Sequence, residues 1–348
     1  MAKAKNYILY IFIILFGILS IIMSSQISDE IIIAVNRCLF VIIPSLFSFL
    51  VFSDLILKSG CYKFICKPFS LISKYIFKMD SHLFFVFLLG NICGYPIGFK
   101  LLNNLYEQNK ISKFTAEIMS CYCYASGPSF VIGLVGITMF SSKLIGIIIF
   151  LANFFSNAAI AIVLNRVVRI PNINNSSKLK TKVSVVDSVQ SASKSLFLIC
   201  SMIVMFASII GILKGFNLFN IINFDILPFL EITYVVDMTV ISADVIPLIS
   251  ALISFGGICV LFQLKALSRG LSLKYILVSR FPAFFLSALF ARIMINIFDI
   301  KIHAAAADAY ISGKSIGFTD AKSYMPAILM IIMMFILILT KEKNPLKK

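Results

Sequence analysis

The sequence predicts an all-α membrane protein: a polytopic helical bundle of about eight spans plus re-entrant or broken helices, arranged in two pseudo-symmetric halves. Of the 348 residues, 60% are hydrophobic and only 13% are charged. The mean hydropathy of +1.01 lies far above that of soluble domains. Long apolar runs, such as residues 7–23 and 325–339, recur along the chain. Together these observations exclude a soluble fold.

The charges agree with a bilayer environment rather than with nucleic-acid binding. The chain has 31 Lys and Arg against 15 Asp and Glu, a net charge of +16. The basic residues fall in short polar gaps between apolar runs, where they orient helices and attract anionic headgroups. The eight Cys lie mostly inside apolar runs, at spacings that fit neither a disulfide framework nor a zinc site. The sequence therefore predicts a lipid partner, no nucleic-acid partner and no metal site.

The chain begins with a predicted transmembrane helix in residues 1–30. Lysines precede the apolar run 7–23, and Asp29 and Glu30 follow it. Since basic residues favour the cytoplasmic side, this charge pattern predicts a cytoplasmic N-terminus. Asp29 and Glu30 are then expected in an external loop.

Two transmembrane halves are expected on either side of a basic linker. The first half covers residues 31–165, the linker 166–194 and the second half 195–340. The linker combines an Asn/Ser cluster and a Pro with mostly basic charges, as is typical of a flexible cytoplasmic segment. A basic tail, 341–348, ends the chain, so both termini are predicted to be cytoplasmic.

The two halves show a weak internal repeat. Residues 93–101 align with residues 256–264, an offset of 163 residues. If the repeat is inverted, residues 114–140 form a re-entrant hairpin. If the membrane crossings before this region are counted differently, residues 83–102 are the re-entrant element instead. The sequence leaves both alternatives open.

The first half contains a glycine- and proline-rich stretch, the GYPIG break, inside an apolar run. It comprises Gly94, Tyr95, Pro96 and Gly98, with Lys100 directly after it. Pro96 removes a backbone donor and the glycines loosen the helix, so peptide groups at membrane depth need a partner. The alternative is close helix packing through Gly94 and Gly98. Lys100 favours a binding site.

A second stretch, the SGPSF break, contains Ser126, Gly127, Pro128 and Ser129. An unwound chain at this position presents N–H donors and a half-helix dipole to an anion. A plain turn between two short helices is an equal alternative. Both readings place an interruption in the middle of an apolar run.

The second half carries the EIT break, which places Glu231 and Thr233 just after a Pro in apolar surroundings. An acid at such depth is costly and usually pairs or binds something. Glu231 is therefore interpreted either as holding a coupling proton or sodium ion, or as neutralising Arg280 or Arg292 in a structural pair.

The SFGG break contains Ser254, Gly256 and Gly257, and it is the repeat partner of the GYPIG break. In the repeat alignment, Gln263 occupies the place of Lys100. The four breaks together are predicted to enclose the binding site of a small molecule at the bilayer midplane.

Other polar residues are interpreted as structural. Asn153 and Asn157 lie four residues apart and share one helix face, so they are expected to hold helices together. Catalytic signatures occur without their companion residues, so the sequence predicts no enzyme and no cofactor apart from a coupling proton or sodium ion.

The GYPIG and SGPSF breaks, with Lys110-Ile111-Ser112 between them, resemble motifs of the sporulation integral membrane protein YlbJ (SpoVV) family. That family belongs to the nucleoside-recognition gate-domain group, related to concentrative nucleoside transporters. The EIT and SFGG breaks are similar to its second-half motifs, and the resemblance covers most of residues 36–298. This chain departs from the pattern of the family at two places. Family members tend to carry an Asn at the position of residues 122–124 and a Gly at the position of residues 234–235.

The resemblance implies an integral membrane transporter of endospore-forming bacteria that moves a small, anionic, dipicolinate-like solute by alternating access. Alternatives are a permease for a nucleoside or another small solute, and a non-transporting membrane assembly protein of sporulation. The implied location is the bacterial cell membrane or the forespore membrane. The implied partners are the small-molecule substrate and the lipid bilayer, with a homo-oligomer left open.

Overall fold

The computed structural model describes residues 2–60, 62–168, 170, 184–216, 226–238, 242–268 and 270–299. Within these ranges the regular elements are helices, and five are long and apolar enough to cross a membrane: Ser24–Ser59, Lys143–Val167, Val185–Gly215, Ala243–Leu267 and Lys274–Ile297. The described residues therefore form a helical membrane protein. The predicted run 325–339, the tail 341–348 and most of the linker lie outside the described residues.

The α-helices of the described ranges are, in chain order, α1 (Ala2–Ile22), α2 (Ser24–Arg37), α3 (Ile43–Ser59), α4 (Tyr62–Ile65), α5 (Ser70–Tyr75), α6 (Ser81–Ile92), α7 (Ile97–Glu107), α8 (Lys113–Ser120), α9 (Lys143–Val167), α10 (Val185–Gly215), α11 (Leu227–Leu230), α12 (Ile246–Phe255), α13 (Gly257–Leu267) and α14 (Lys274–Ile297). Two π-helical segments, Cys38–Ile42 and Ser129–Met139, and 3-10 segments at Lys67–Phe69, Ile232–Asp237 and Ala243–Val245 complete them.

The polar stretch after α1 is helical, where the sequence predicted an external loop. α2 begins at Ser24, so the single residue Met23 separates it from α1. The physical reason lies in Glu30, whose carboxylate accepts from Lys214 Nζ at 2.6 Å and from the Tyr234 hydroxyl at 2.5 Å. Because these partners satisfy the acid inside the bundle, the chain does not need to unwind to solvate it.

α2 and α3 form one rod through the π-helical turn Cys38–Ile42. The rod has 36 residues, which at helical rise amounts to about 54 Å. A π-helical turn contains more residues than an α-turn. Cys38–Ile42 therefore accommodates about one residue more than an α-helical turn at the same place in the rod.

α10 packs antiparallel to this rod along its length. At one end, Lys58 Nζ of α3 donates to Ser188 Oγ at 3.5 Å. At the other end, Lys214 donates to Glu30. The end with Lys58 and Ser188 is called the linker end, because the linker precedes α10, and the end with Glu30 and Lys214 is called the far end.

The chain reverses at the GYPIG break, between α6 and α7. α6 begins at the linker end, where the His82 ring lies 5.3 Å from that of Tyr62, just past the end of α3. A Cβ on Gly90 would lie 3.0 Å from Gly98 Cα, whereas continuous helix would separate the two positions by about 12 Å. Residues 83–102 therefore turn back within the bundle, as the second of the two sequence alternatives predicted.

The SGPSF break interrupts a crossing instead. The π-helix Ser129–Met139 continues past the break and packs closely on α9, since a Cβ on Gly136 would lie 2.6 Å from Gly146 Cα. α9 then returns to the linker end, where Asn165 donates to the Phe77 carbonyl at 3.0 Å. The expectation of a re-entrant hairpin in residues 114–140 is wrong, because this chain segment passes through to the far end.

The SFGG break divides a second crossing into α12 and α13. Gly256 has φ +84° and Gly257 φ +77°. Two successive residues in the left-handed region require glycine, since a Cβ is disfavoured there. Between α10 and α12, the described residues 226–238 form only the short helix α11 and a 3-10 segment.

Candidate functional site

A small cavity lies at mid-length between the α2–α3 rod and α10. Its volume is about 40 Å³, and its apolar lining includes Ile42 of the rod and Ile199 of α10. The polar side chains that line it are Ser45, Tyr95, Ser126, Glu231, Thr233 and Gln263. We call this cavity the chamber. It has room for roughly two or three water molecules, so a larger solute requires the chamber to expand.

Residues of three breaks line the chamber directly. The GYPIG break contributes Tyr95, the SGPSF break Ser126 and Gly127, and the EIT break Glu231 and Thr233. Gln263 of α13, the helix that follows the SFGG break, also lines the chamber. The structure thus brings together the predicted residues of both halves around one cavity. The remaining predicted residues lie around the chamber or away from it.

The glycines of the GYPIG break allow backbones to touch. A Cβ on Gly94 would lie 2.8 Å from Gly127 N, and one on Gly98 would overlap the Cys123 carbonyl oxygen. Gly94 has φ +89°. These two glycines, with Pro96, thus shape the chain behind the chamber, as the packing alternative predicted.

The C-terminal end of α12 is capped by side chains of other helices. Because α12 ends at Phe255, its last carbonyls have no helical partner. The Tyr95 hydroxyl donates to the Ile253 carbonyl, and the Tyr124 hydroxyl donates to the Phe255 carbonyl at 3.1 Å. Ser254, predicted as a site residue, donates its hydroxyl to the Ala283 carbonyl at 3.1 Å instead.

Arg280 is a central residue that sequence reasoning did not place in the site. Its side chain is fully buried, and its Nη1 donates to the Ser254 carbonyl at 3.1 Å. Its Nη2 donates to the Cys121 carbonyl, and its guanidinium lies 4.4 Å from the centre of the Tyr124 ring. The cation thus sits at the C-terminal ends of α8 and α12, where both helix dipoles are negative. The available signal was an Arg inside the apolar run 275–298, which also contains Arg292.

Glu231 does not pair with either predicted arginine. Arg280 binds carbonyls, and Arg292 pairs with Asp244 at 2.7 Å on the surface. Glu231 Oε2 instead accepts from the Thr233 N–H at 3.0 Å and from the Thr233 hydroxyl. Since the residue is 1% exposed and lines the chamber, its carboxylate faces this cavity from within the bundle.

Hydrogen bonds connect Thr233 to the far end. Arg37 Nη1 lies 3.3 Å from Thr233 Oγ1, and its Nη2 donates to both carboxylate oxygens of Asp237 at 2.7 and 2.6 Å. The Arg37 guanidinium also lies 4.4 Å from the centre of the Tyr234 ring. We call Arg37, Thr233 and Asp237 the far latch, because they join α2 to the EIT break on the far-end side of the chamber.

Lys100 lies outside the chamber. Its Nζ donates to the Ser195 hydroxyl at 3.0 Å and to the Ser191 carbonyl at 3.3 Å, both on α10. The reason is the reversal at the GYPIG break, which carries α7 back toward the linker end, so a residue one turn into α7 leaves the chamber. Lys100 lines a separate void of about 370 Å³ at the linker end.

A crevice on the far-end side adjoins the chamber. It has a volume of about 320 Å³ and shares Ser45 with the chamber. Ser129 and Thr138 of the π-helix line it, opposite Phe40 of the π-helical turn. The predicted site residue Ser129 therefore belongs to this crevice.

The asparagines form the interhelical contacts that the sequence predicted. Asn157 Nδ2 donates at 2.8 Å both to Asn91 Oδ1 and to the Tyr124 carbonyl. Asn153 Nδ2 donates to Ser250 Oγ at 3.2 Å. These bonds tie α9 to α6, to the SGPSF break and to α12, which confirms their structural interpretation.

Comparison with known proteins gives one distant relationship. The sporulation integral membrane protein YlbJ of Bacillus subtilis (strain 168) is 30% identical over 122 residues. The aligned part is 35% of this chain and 30% of that protein, so the match spans less than a third of the relative's length. No protein-family profile matches the chain, and no solved structure matches it. The chain is therefore distantly similar to a sporulation membrane protein over about a third of its length.

Proposed function

We propose that the protein is a membrane permease that moves a small solute by alternating access, in sporulation. One observation carries this proposal: residues of the GYPIG, SGPSF and EIT breaks and Gln263 line a common chamber at mid-length of the longest helices. Broken helices that meet at the midplane are how secondary transporters form their sites. A void at the linker end and a crevice at the far end extend the same route.

The order of elements supports the proposed inverted repeat and the gate-domain relationship. The first half has a turned-back segment that reaches the chamber from the linker end and then a broken crossing, 113–139. In the second half, residues 226–238 lead from Glu231 at the chamber to Asp237 beside Arg37 on the far-end side. The broken crossing of α12 and α13 follows. The same sequence of elements in opposite orientation is expected for an inverted repeat. This order pairs the GYPIG break with the EIT break and the SGPSF break with the SFGG break, whereas the alignment of residues 93–101 with 256–264 paired the GYPIG break with the SFGG break.

Alternating access requires that the chamber be closed from each side in turn. On the linker-end side, Lys100 joins α7 of the first half to Ser195 of α10 in the second. On the far-end side, Arg37 of the first half binds Asp237 of the second. Because both contacts bridge the two halves, a rocking motion that opens one side breaks one contact while the other holds.

The resemblance to YlbJ-like proteins favours a dipicolinate-like anion as the solute. The lining favours a second candidate. Among the described residues, those that line the chamber include Glu231 and Gln263 but no Lys or Arg, and Arg37 lies behind the lining residue Thr233. A carboxylate and an amide suit the hydroxyl and amine donors of a neutral solute such as a nucleoside. Glu231 is also the residue proposed to hold a coupling proton or sodium ion.

Uptake into vesicles tests the proposal. Purified full-length protein in liposomes would be given labelled dipicolinate and, separately, labelled uridine. We expect saturable uptake of one of them, and a loss of roughly tenfold or more in initial rate for Glu231→Gln, because a buried charge at a ligand site is removed.

Asp244→Asn is the matched control, since this acid is 82% exposed on the surface. Its uptake should stay within about twofold of wild type. The proposal is contradicted if neither solute shows saturable uptake, or if Glu231→Gln transports as wild type. Silent chamber variants together with loss of sporulation on changes in the linker would favour an assembly protein.

A further inference from the structure

The void at the linker end is a second polar site, distinct from the chamber. Its volume of about 370 Å³ is within the range of small-molecule pockets. Its lining is rich in hydrogen-bonding side chains: Lys100, Asn103, Asn104, Asp187, Ser191 and Lys194. We propose that this void is a vestibule that binds a carboxylate-bearing solute before it reaches the chamber. The proposal rests on the permease function and names the class of solute that approaches from this side.

The vestibule and the chamber are stacked along the same three helices. On α10, Ile199 lines the chamber, and Ser195, one turn toward the linker end, lines the vestibule. On α13, Gln263 lines the chamber, and Leu267, one turn on, lines the vestibule. On the third element, Tyr95 precedes α7 at the chamber, and Lys100 lies one turn into that helix. A single helical turn, about 5 Å, therefore separates the two voids.

The charges of the vestibule suit an anion with two acceptor groups. Two ammonium groups, those of Lys100 and Lys194, face one carboxylate, that of Asp187. The void also lies at the first turns of α10, whose N-terminal end carries the positive pole of the helix dipole. The amide of Asn104 adds donors for a carboxylate. The chamber offers the opposite sign, through Glu231.

Lys100 connects binding in the vestibule to access to the chamber. Its ammonium donates to the neutral Ser195 hydroxyl across the boundary of the two voids. A carboxylate is a stronger acceptor for an ammonium than a hydroxyl is. A bound anion therefore competes with Ser195 for the ammonium, which also donates to the Ser191 carbonyl at 3.3 Å, and so weakens a contact between α7 and α10 at the boundary.

Equilibrium binding of dipicolinate to the detergent-purified full-length chain tests this site. Lys100→Gln should weaken binding roughly tenfold, because a charge-assisted contact at a partly buried site is lost. Lys194→Gln, at an exposed position, should weaken it roughly two- to fivefold. Binding should fall as NaCl rises from about 0.05 M to about 0.5 M, since salt screens the exposed charge.

Lys143→Gln is the matched control, since this exposed lysine at the start of α9 is remote from the vestibule lining. Its affinity for dipicolinate should equal that of wild type. The vestibule is overturned if wild type does not bind dipicolinate, or if all three variants bind equally. If uridine uptake depends on Glu231 while dipicolinate does not bind, the vestibule fails and the permease stands. If dipicolinate binds through Lys100 but neither solute is transported, the permease fails and the binding site stands.

Discussion

Arg280 and Glu231 are both charged and both buried at the helix breaks, but their surroundings differ. Arg280 donates to the carbonyls of Cys121 and Ser254, which belong to different halves of the chain, and lies on the Tyr124 ring. Among the described residues, Glu231 accepts hydrogen bonds from Thr233, and it lines the chamber. Burial is nearly equal, 0% and 1% exposed. Arg280 is therefore held by several separate elements, whereas Glu231 is held by its own segment and borders a cavity.

The largest expected effect comes from removing the structural charge. Arg280→Met removes the guanidinium donors of the Ser254 and Cys121 carbonyls, and the Cys121 carbonyl keeps the Ser279 hydroxyl at 3.3 Å. A buried acceptor that loses its donor costs about 1–3 kcal/mol, and the cation at the two helix ends is lost as well. We expect the free energy of unfolding, measured by SDS titration in mixed micelles, to fall by roughly 3 kcal/mol or more. Arg292→Met, at a surface pair, should change it by less than about 1 kcal/mol. If Arg280→Met and Arg292→Met lower the free energy of unfolding equally, the structural role assigned to Arg280 is contradicted.

The second effect concerns the backbone contact between the first two breaks. Gly98→Ala places a Cβ against the Cys123 carbonyl oxygen, a backbone atom that cannot rotate away. We expect a loss of about 2 kcal/mol in the same unfolding measurement, as for other overpacked sites. Gly133→Ala is the control, since the space around its Cβ is open to 4 Å. If Gly98→Ala unfolds as wild type does, the breaks are not held by this contact.

A smaller effect is expected at the cap of α12. Tyr124→Phe removes the hydroxyl that donates to the Phe255 carbonyl at 3.1 Å but keeps the ring under Arg280. The free energy of unfolding should fall by about 1 kcal/mol, the net value of one hydrogen bond. Tyr275→Phe, on a side chain that is 42% exposed, should be neutral. A neutral Tyr124→Phe would mean that Arg280 and the Tyr95 hydroxyl suffice to stabilise this end of the helix.

The smallest effect on stability is expected at Glu231. Glu231→Gln keeps an oxygen that accepts from the Thr233 N–H, so unfolding should change by less than about 1 kcal/mol. Thermal unfolding in detergent, run beside Arg280→Met, provides the check. A loss as large as that of Arg280→Met would assign Glu231 to the framework, and its uptake defect would then report unfolding rather than binding.

The positions of the breaks were predictable because glycine and proline act locally. Gly94, Pro96 and Gly256 lie in clusters of such residues, and these clusters indicate a break, whereas the single Pro282 lies inside the continuous helix α14. The helical character of the long apolar runs was predictable for the same reason. That residues of both halves meet at one chamber was a prediction of the repeat, and the chamber lining brings the expected segments together.

The partners of the charged residues were not predictable, because they come from distant segments. Glu30 is helical since Lys214 and Tyr234 reach it from the second half. Arg280 binds backbone carbonyls that are free only because α8 and α12 end beside it, and no side-chain pattern in the sequence marks them. Lys100 lies outside the chamber because the chain reverses direction just before α7. The sequence left open whether this reversal occurs here, so the position of Lys100 was not predictable.

The π-helical turn Cys38–Ile42 makes the first long helix tolerant of a change in length at this one place. A π-turn holds about one residue more than an α-turn in nearly the same rotation and rise, so deleting one residue there would convert it to ordinary α-helix with Glu30 and Arg37 still beside Lys214 and Asp237. The same deletion in the α-helical parts of the rod would rotate everything before it by about 100°. One-residue deletions should therefore be tolerated better within this turn than on either side of it.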